Sequence, residues 1–107
     1  MSEAGIKNDQ EKPALALLPI ISLTEVGKVM TFGAKKYSAH NWLGGLKFTR
    51  LASAALRHLF SWLSGEENDP ESGLNHLAHC GACVLMLLEL ALRKRADLDD
   101  RYKEVTK

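Results

Sequence analysis

Cysteine is scarce in this chain: there are two, Cys80 and Cys83. They stand three residues apart in an apolar run, a spacing that forms no easy disulfide within a helix and builds no secreted framework. A reducing compartment is expected. An excess of charge of one sign is also lacking, since 14 Lys+Arg stand against 13 Asp+Glu for a formal net charge of +1. Such a balance lacks the broad basic footprint of a nucleic-acid binder, so no direct nucleic-acid partner is expected and charge-driven recognition must be local. No run reaches the ~18 apolar residues of a membrane span, and the stretch from Met1 to Asp9 has no apolar signal core. The sequence therefore points to the cytoplasm, with no membrane partner. A Gly-rich phosphate loop of Walker type and a G-x-S-x-G elbow are both missing, which removes support for those enzyme classes. Internal repeats and low-complexity tracts are absent as well.

What is present is an ordinary globular composition, with 46% apolar and 25% charged residues in 107, which fits a single domain over 1–107. A chain of this size buries only about 60–65% of its unfolded surface, so its core is thin and association with further copies would thicken it. The expected fold is all-α, with three main helices at about 22–37, 49–64 and 70–95. An irregular arm over 1–18 precedes them and a charged tail over 97–107 follows. Ser22 and Glu25 have the S-x-x-E spacing of a capping box. Val26, Val29, Met30 and Gly33 recur at helical spacing, and Lys35 and Lys36 suit the negative end of the first helix. The stretch from Ser38 to Lys47 holds Gly44-Gly45 and breaks the periodicity, as a shaped loop does. On the second helix Leu51, Ala54, Ala55, Leu59, Trp62 and Leu63 mark the buried side, and Gly65 is placed as a stop. Asp69-Pro70-Glu71 reads as a helix restart, with Asp69 as N-cap and Pro70 at the first helical position. The third helix carries no formal charge from Cys80 to Leu88, so burying Val84, Leu85, Leu87 and Leu88 calls for a second subunit.

Three constellations could carry chemistry. Glu66, Glu67, Asp69 and Glu71 put four carboxylates at one helix junction, where hard oxygens could bind Mg²⁺ or Mn²⁺ and, through the ion, phosphates. A solvated acidic loop with an N-cap would use the same residues. His76 and His79 share a helix face, and His58, beside Arg57, could join them from the second helix to ligate a metal, relay a proton or bind phosphate. Adding Cys80 and Cys83 imitates a zinc pattern, but a continuous helix spreads these four over two turns, too far for one tetrahedral site. Buried packing accounts better for both thiols. The third set is Lys35, Lys36, Tyr37, Asn41, Trp42, Lys47 and Arg50, where cations could hold triphosphate oxygens while aromatics stack on a base and Asn41 reads its edge. Taken singly, each of these reads better as an ordinary helix-end cation or a loop anchor.

The string also carries a resemblance. Met30-Thr31-Phe32-Gly33-Ala34-Lys35-Lys36-Tyr37, Asn41-Trp42, Arg57-His58, Gly65-Glu66, Asp69-Pro70-Glu71-Ser72-Gly73-Leu74 and His76-Leu77-Ala78-His79 look like the short phage dATP/dGTP diphosphohydrolases, MazZ-like members of the MazG group. The likeness runs from about Lys7 to Glu89. It implies an all-α nucleotide pyrophosphohydrolase, a dimer or higher homo-oligomer, that cleaves a dNTP to dNMP and pyrophosphate with Mg²⁺ or Mn²⁺. By that likeness Glu25, Glu66 and Asp69 are metal candidates, and Glu66, Asp69, Glu71, His58, His76 and His79 are catalytic candidates. Lys35, Lys36, Arg50 and Arg57 would grip phosphates, and Tyr37, Asn41 and Trp42 would frame the base. The E-E-x-x-E and E-x-x-D strings of the wider group do not occur, and Arg57-His58 and His76-x-x-His79 stand in the matching stretches. An alternative is therefore a phage protein that binds a nucleotide or signalling dinucleotide without turning it over, as a sponge against host defence.

Overall fold

A computed structural model describes residues 5–103, so residues 1–4 of the arm and 104–107 of the tail lie outside the described residues. Three α-helices make up the frame: α1 over Ile20–Lys36, α2 over Phe48–Leu63 and α3 over His76–Leu92. Short 3₁₀ turns lie at Leu15–Leu17, Asn41–Gly44 and Ala96–Leu98. Among the described residues there is no strand, and no helix is long and apolar enough to cross a membrane. The all-α expectation holds.

The helix ends differ from the sequence reading in instructive ways. α1 starts two residues before Ser22, at Ile20, with Pro19 at the cap position and no side-chain cap. Proline sets φ in advance at −72° and has no N–H to satisfy. The capping box therefore does not form, and Glu25 pairs instead with Lys28 at 2.7 Å. α2 ends as expected. Gly65, at φ +101°, donates its N–H to Trp62 O, and Glu66 N–H reaches Ser61 O. This is the paired closure of a Schellman motif, with glycine at the left-handed position.

α3 begins at His76, not at Pro70. The Asp69 carboxylate accepts from Ser72 N–H at 2.9 Å, but Gly73 turns to φ +73° and its N–H returns to Asp69 O at 2.7 Å. A positive φ cannot continue a right-handed helix. Asp69 to Leu74 thus closes as a tight turn, and the true N-cap is Asn75, whose side chain accepts from Leu77 N–H at 2.7 Å. At the other end α3 stops at Leu92, so Arg93-Lys94-Arg95 lies beyond it, with Lys94 left-handed at φ 58°.

Two small cores hold the helices. Phe48, Leu51, Leu90 and Leu98 join α2 and α3 to the chain after α3, with Trp42, Leu43 and Leu46 of the loop packed against them. Val29, Ala78 and Ala82 join α1 to α3. Close approach there needs small residues: Ala82 is fully buried, and a Cβ on Gly81 would meet Val26 Cγ2 at 3.3 Å. The charged tail is structured as far as it is described. Leu98 is buried, and Asp100 Oδ1 accepts from Thr49 N–H at 2.9 Å, capping α2 from a distance of 51 residues. Leu63, expected on the buried side of α2, is exposed. So are Leu56 and Phe60 on α2, and Leu77, Val84, Leu85, Leu88 and Leu92 on α3.

Candidate functional site

The Schellman stop of α2 and the tight turn before α3 bring three imidazoles to one spot. Glu66 leaves the stop and places Oε1 2.6 Å from Nε2 of His76, the first residue of α3. The other ring nitrogen of His76, Nδ1, lies 2.8 Å from Nδ1 of His58 on α2. With the carboxylate accepting at Nε2, the proton of a neutral His76 sits on that atom and Nδ1 offers a lone pair to His58. His79, one turn further along α3, stacks on His58 with ring centroids 4.5 Å apart and planes 11° from parallel. Its Nε2 is 2.7 Å from Ser72 Oγ and 3.9 Å from Asp69 Oδ2, and Phe32 of α1 meets its ring edge-on.

The electrostatics follow from this crowding. Burial lowers the basicity of His58, and the charges of His79 and His76 beside it push the same way. Burial lowers His79 too, against the opposing pull of Asp69. For Asp69, burial alone would favour the protonated acid, but hydrogen bonds from the Ser72 backbone and hydroxyl, with the nearby imidazoles, outweigh it and hold the carboxylate below its usual range. One ligand atom each from His58, Asp69 and His76 lies within 4.8 Å of the other two.

Beside this cluster a cavity of about 630 Å³ opens between the three helices and the loop. Its walls take in most residues singled out from the sequence. Lys36, Arg50 and Arg57 are the cations. Tyr37, Asn41 and Trp42 line it from the loop side, and His58, His79, Asp69 and Glu71 from α2, α3 and the turn between them. Lys36 Nζ contacts Glu71 Oε2 at 2.7 Å and lies 5.3 Å from the Tyr37 ring centre. His76 sits behind His58, nearly fully buried, and Glu66 is spent on it. Glu25 and Lys35 are not brought to the cavity. Trp42 also borders a second space of about 550 Å³, whose polar residues include the Glu89–Arg93 pair but none of the three clustered imidazoles. Sequence reasoning missed Phe32 and gave Ser72 no role of its own. The serine had a signal, since a hydroxyl three residues after an aspartate favours a side-chain-closed turn.

Residues 2–101 match the family model described as dATP/dGTP diphosphohydrolase, N-terminal. A protein of Salmonella phage PMBT28 named dATP/dGTP diphosphohydrolase is 40% identical over 97 residues, covering 91% of this chain and 33% of the phage protein. The chain thus spans about a third of the length of that relative. No solved structure matches. With its blocks in order across nearly all of its length, the chain belongs to the dATP/dGTP diphosphohydrolase N-terminal family.

Proposed function

We propose that this chain is a nucleotide diphosphohydrolase that cleaves a purine deoxynucleoside triphosphate between the α and β phosphates, giving the monophosphate and pyrophosphate with Mg²⁺ or Mn²⁺. The observation that carries this reading is one cavity lined by three cations, two carboxylates and two imidazoles of lowered basicity, with aromatic and amide groups on its loop side. Its volume of about 630 Å³ suits a single nucleotide. Arg57, Arg50 and Lys36 hold the phosphate oxygens, arginine by forked hydrogen bonds and lysine as a point charge. Trp42 and Tyr37 offer stacking faces, and Asn41 a donor and acceptor to the base edge. A divalent ion fits the acidic side, where Asp69 is a carboxylate not paired with lysine or arginine among the described residues. Such an ion supplies charge neutralisation on the polyphosphate. Water oxygen bonds to the α phosphorus, the bridging α–β oxygen leaves with pyrophosphate, and His79, its ring held by Ser72 and Asp69, takes up the proton lost by the water.

Incubating the purified chain with each dNTP and Mg²⁺ or Mn²⁺, followed by assay of monophosphate and pyrophosphate, tests the reading. Release from dATP or dGTP supports it, and intact nucleotides after prolonged incubation overturn it.

A second reading draws on a specific observation. Of the four carboxylates proposed for metal or base roles, Glu25 pairs with Lys28 and Glu66 with His76, so that Asp69 and Glu71 alone reach the cavity. A protein that only sequesters a nucleotide or dinucleotide in the host cytoplasm needs no more than that. Recovery of tightly held, uncleaved ligand on denaturing the purified chain would favour it.

Association with further copies is part of the proposal. Leu77, Val84, Leu85, Leu88 and Leu92 line one side of α3, between 40% and 70% exposed, an apolar stripe of the kind that marks an interface. Light scattering is expected to give a dimer or larger species that Leu85→Glu with Leu88→Glu dissociates. A stable wild-type monomer would contradict this.

A further inference from the structure

We propose that His58, Asp69 and His76 form a binding site for a nitrogen-preferring first-row transition-metal ion, selecting Zn²⁺ over Mg²⁺, with Glu66 holding His76 from behind. The inference deepens the reading of the same cavity and rests on it only for the purpose of the ion. Its test uses no nucleotide, so either can fail without the other.

The geometry is the first support. Ligands at about 2.0–2.2 Å from one ion lie no more than about 4.4 Å from each other, and at least about 3 Å. One atom from each of the three residues falls within 4.8 Å of the others, so small side-chain movements suffice. The second support is the partner of His76. A ring that ligates through one nitrogen donates its other N–H to a carboxylate in many metal sites, which fixes its tautomer and orientation. Glu66 Oε1 at 2.6 Å from His76 Nε2 is that arrangement, on a ring nearly fully buried and left with Nδ1 to offer. The third is the chemistry of the donors. Mg²⁺ takes hard oxygens in a tight octahedron and keeps several waters. Two imidazoles and one carboxylate instead suit first-row ions, and three protein ligands leave positions open. Asp69 and His58 both border the cavity, so those positions face the space where Arg57 and Lys36 would hold phosphates.

Without an ion, the 2.8 Å approach of the two Nδ1 atoms is a hydrogen bond in which His58 donates to His76. An ion at that place takes over the role of the shared proton. His58 then carries its proton on Nε2, and the rings part by about half an ångström to the separation that two nitrogens on one ion require. His58 is the ring that makes this move, being only half-buried, and it slides against the His79 ring on which it stacks.

The experiment is metal titration of the chelator-stripped chain, by calorimetry and by equilibrium dialysis with elemental analysis, using Zn²⁺, Mn²⁺ and Mg²⁺ separately. One Zn²⁺ per chain is expected, undiminished by a thousandfold excess of Mg²⁺, and Co²⁺ in its place should give visible absorption of nitrogen and oxygen ligation without thiolate charge transfer. Asp69→Asn and His58→Gln should each abolish stoichiometric binding, while Glu66→Gln weakens it by roughly 10- to 100-fold. His76→Gln is the variant at risk of misfolding, so His58→Gln, with circular dichroism as the control, decides. Absence of stoichiometric binding by folded wild-type chain would show a histidine hydrogen bond only and overturn the proposal. So would binding that survives His58→Gln but is lost in Cys80→Ser.

Discussion

Nε2 of His76 and Oε1 of Glu66 meet at 2.6 Å across a nine-residue connection, one group nearly fully buried and the other half exposed. A buried ring N–H that loses its acceptor keeps the cost of its desolvation, roughly 1–3 kcal/mol. Glu66→Ala should therefore lower stability by about 1 kcal/mol, toward the low end because solvent reaches Glu66. Glu66→Gln keeps an acceptor oxygen and should leave stability nearly unchanged while changing the charge behind the ring. Urea denaturation of both variants checks this, and equal losses would show that the charge, not the acceptor, matters.

The contrast between the two helix stops makes a second prediction. α2 ends on Gly65, but α3 closes the same pair of hydrogen bonds, Lys94 N–H to Ala91 O and Arg95 N–H to Leu90 O, around a lysine at φ 58°. A side chain in that conformation costs about 1 kcal/mol relative to glycine. Lys94→Gly is thus expected to raise stability by roughly 0.5–1 kcal/mol, read as a higher urea midpoint with an unchanged slope. A lower midpoint would mean that the lysine side chain contributes more than the strain removes.

How much of this was legible in the sequence depends on how far apart the cooperating residues lie. Gly65 as a stop and the apolar spacing of Val26, Val29 and Met30 on α1 are local signals, and they held, whereas Leu63 on α2 is exposed. The Asp69-Pro70 restart failed because a single residue, Gly73, outvoted it: its left-handed backbone turned a good helix beginning into a closed loop. The capping box at Ser22 lost to Pro19, which had already set the backbone three residues earlier. In the site, the shared face of His76 and His79 was readable from spacing, and Lys36, Tyr37, Asn41 and Trp42 do come together in the cavity lining. Assigning Glu66 to His76 was not, because it depends on two irregular turns aiming toward each other. The tail was least legible. Asp97, Asp99 and Asp100 look like a solvated charge run, and only the fold brings Asp100 to the start of α2.

That distant cap has a pH signature. Hydrogen bonds from the Thr49 hydroxyl and then its backbone N–H hold Asp100 below the usual carboxylate range, and the Arg101 side chain and backbone do the same for Asp99. The unfolded chain thus binds these protons at higher pH than the folded one. Their contribution to stability is complete above the unfolded carboxylate pKa, about 4, and fades as pH falls through the lower folded values. Asp100 is solvent-facing, so its share of the effect is modest. Asp100→Asn keeps a cap acceptor without the titration, and its melting temperature should fall less steeply than wild type between pH 5 and pH 2. Parallel curves for the two proteins would remove Asp100 as a source of acid sensitivity.

The Lys36–Glu71 contact sets up opposite effects from its two ends. The 2.7 Å ion pair lies on the cavity wall with both side chains partly open to solvent, and the carboxylate raises the affinity of Lys36 for its proton. A triphosphate entering the cavity would compete with Glu71 for that ammonium group. Removing Glu71's charge should therefore tighten nucleotide binding, whereas removing the ammonium should weaken it. Exposed pairs of this kind are worth up to about 1 kcal/mol, which is roughly fivefold in a dissociation constant. Glu71→Gln is expected to bind a non-hydrolysable dATP analogue up to about fivefold more tightly, and Lys36→Ala to bind it about fivefold more weakly, both effects shrinking as salt is raised. Calorimetry with the analogue measures both. Weaker binding in Glu71→Gln would instead make that carboxylate a ligand of the ion that accompanies the nucleotide, and loss of turnover with unchanged binding would give it a role in the chemical step.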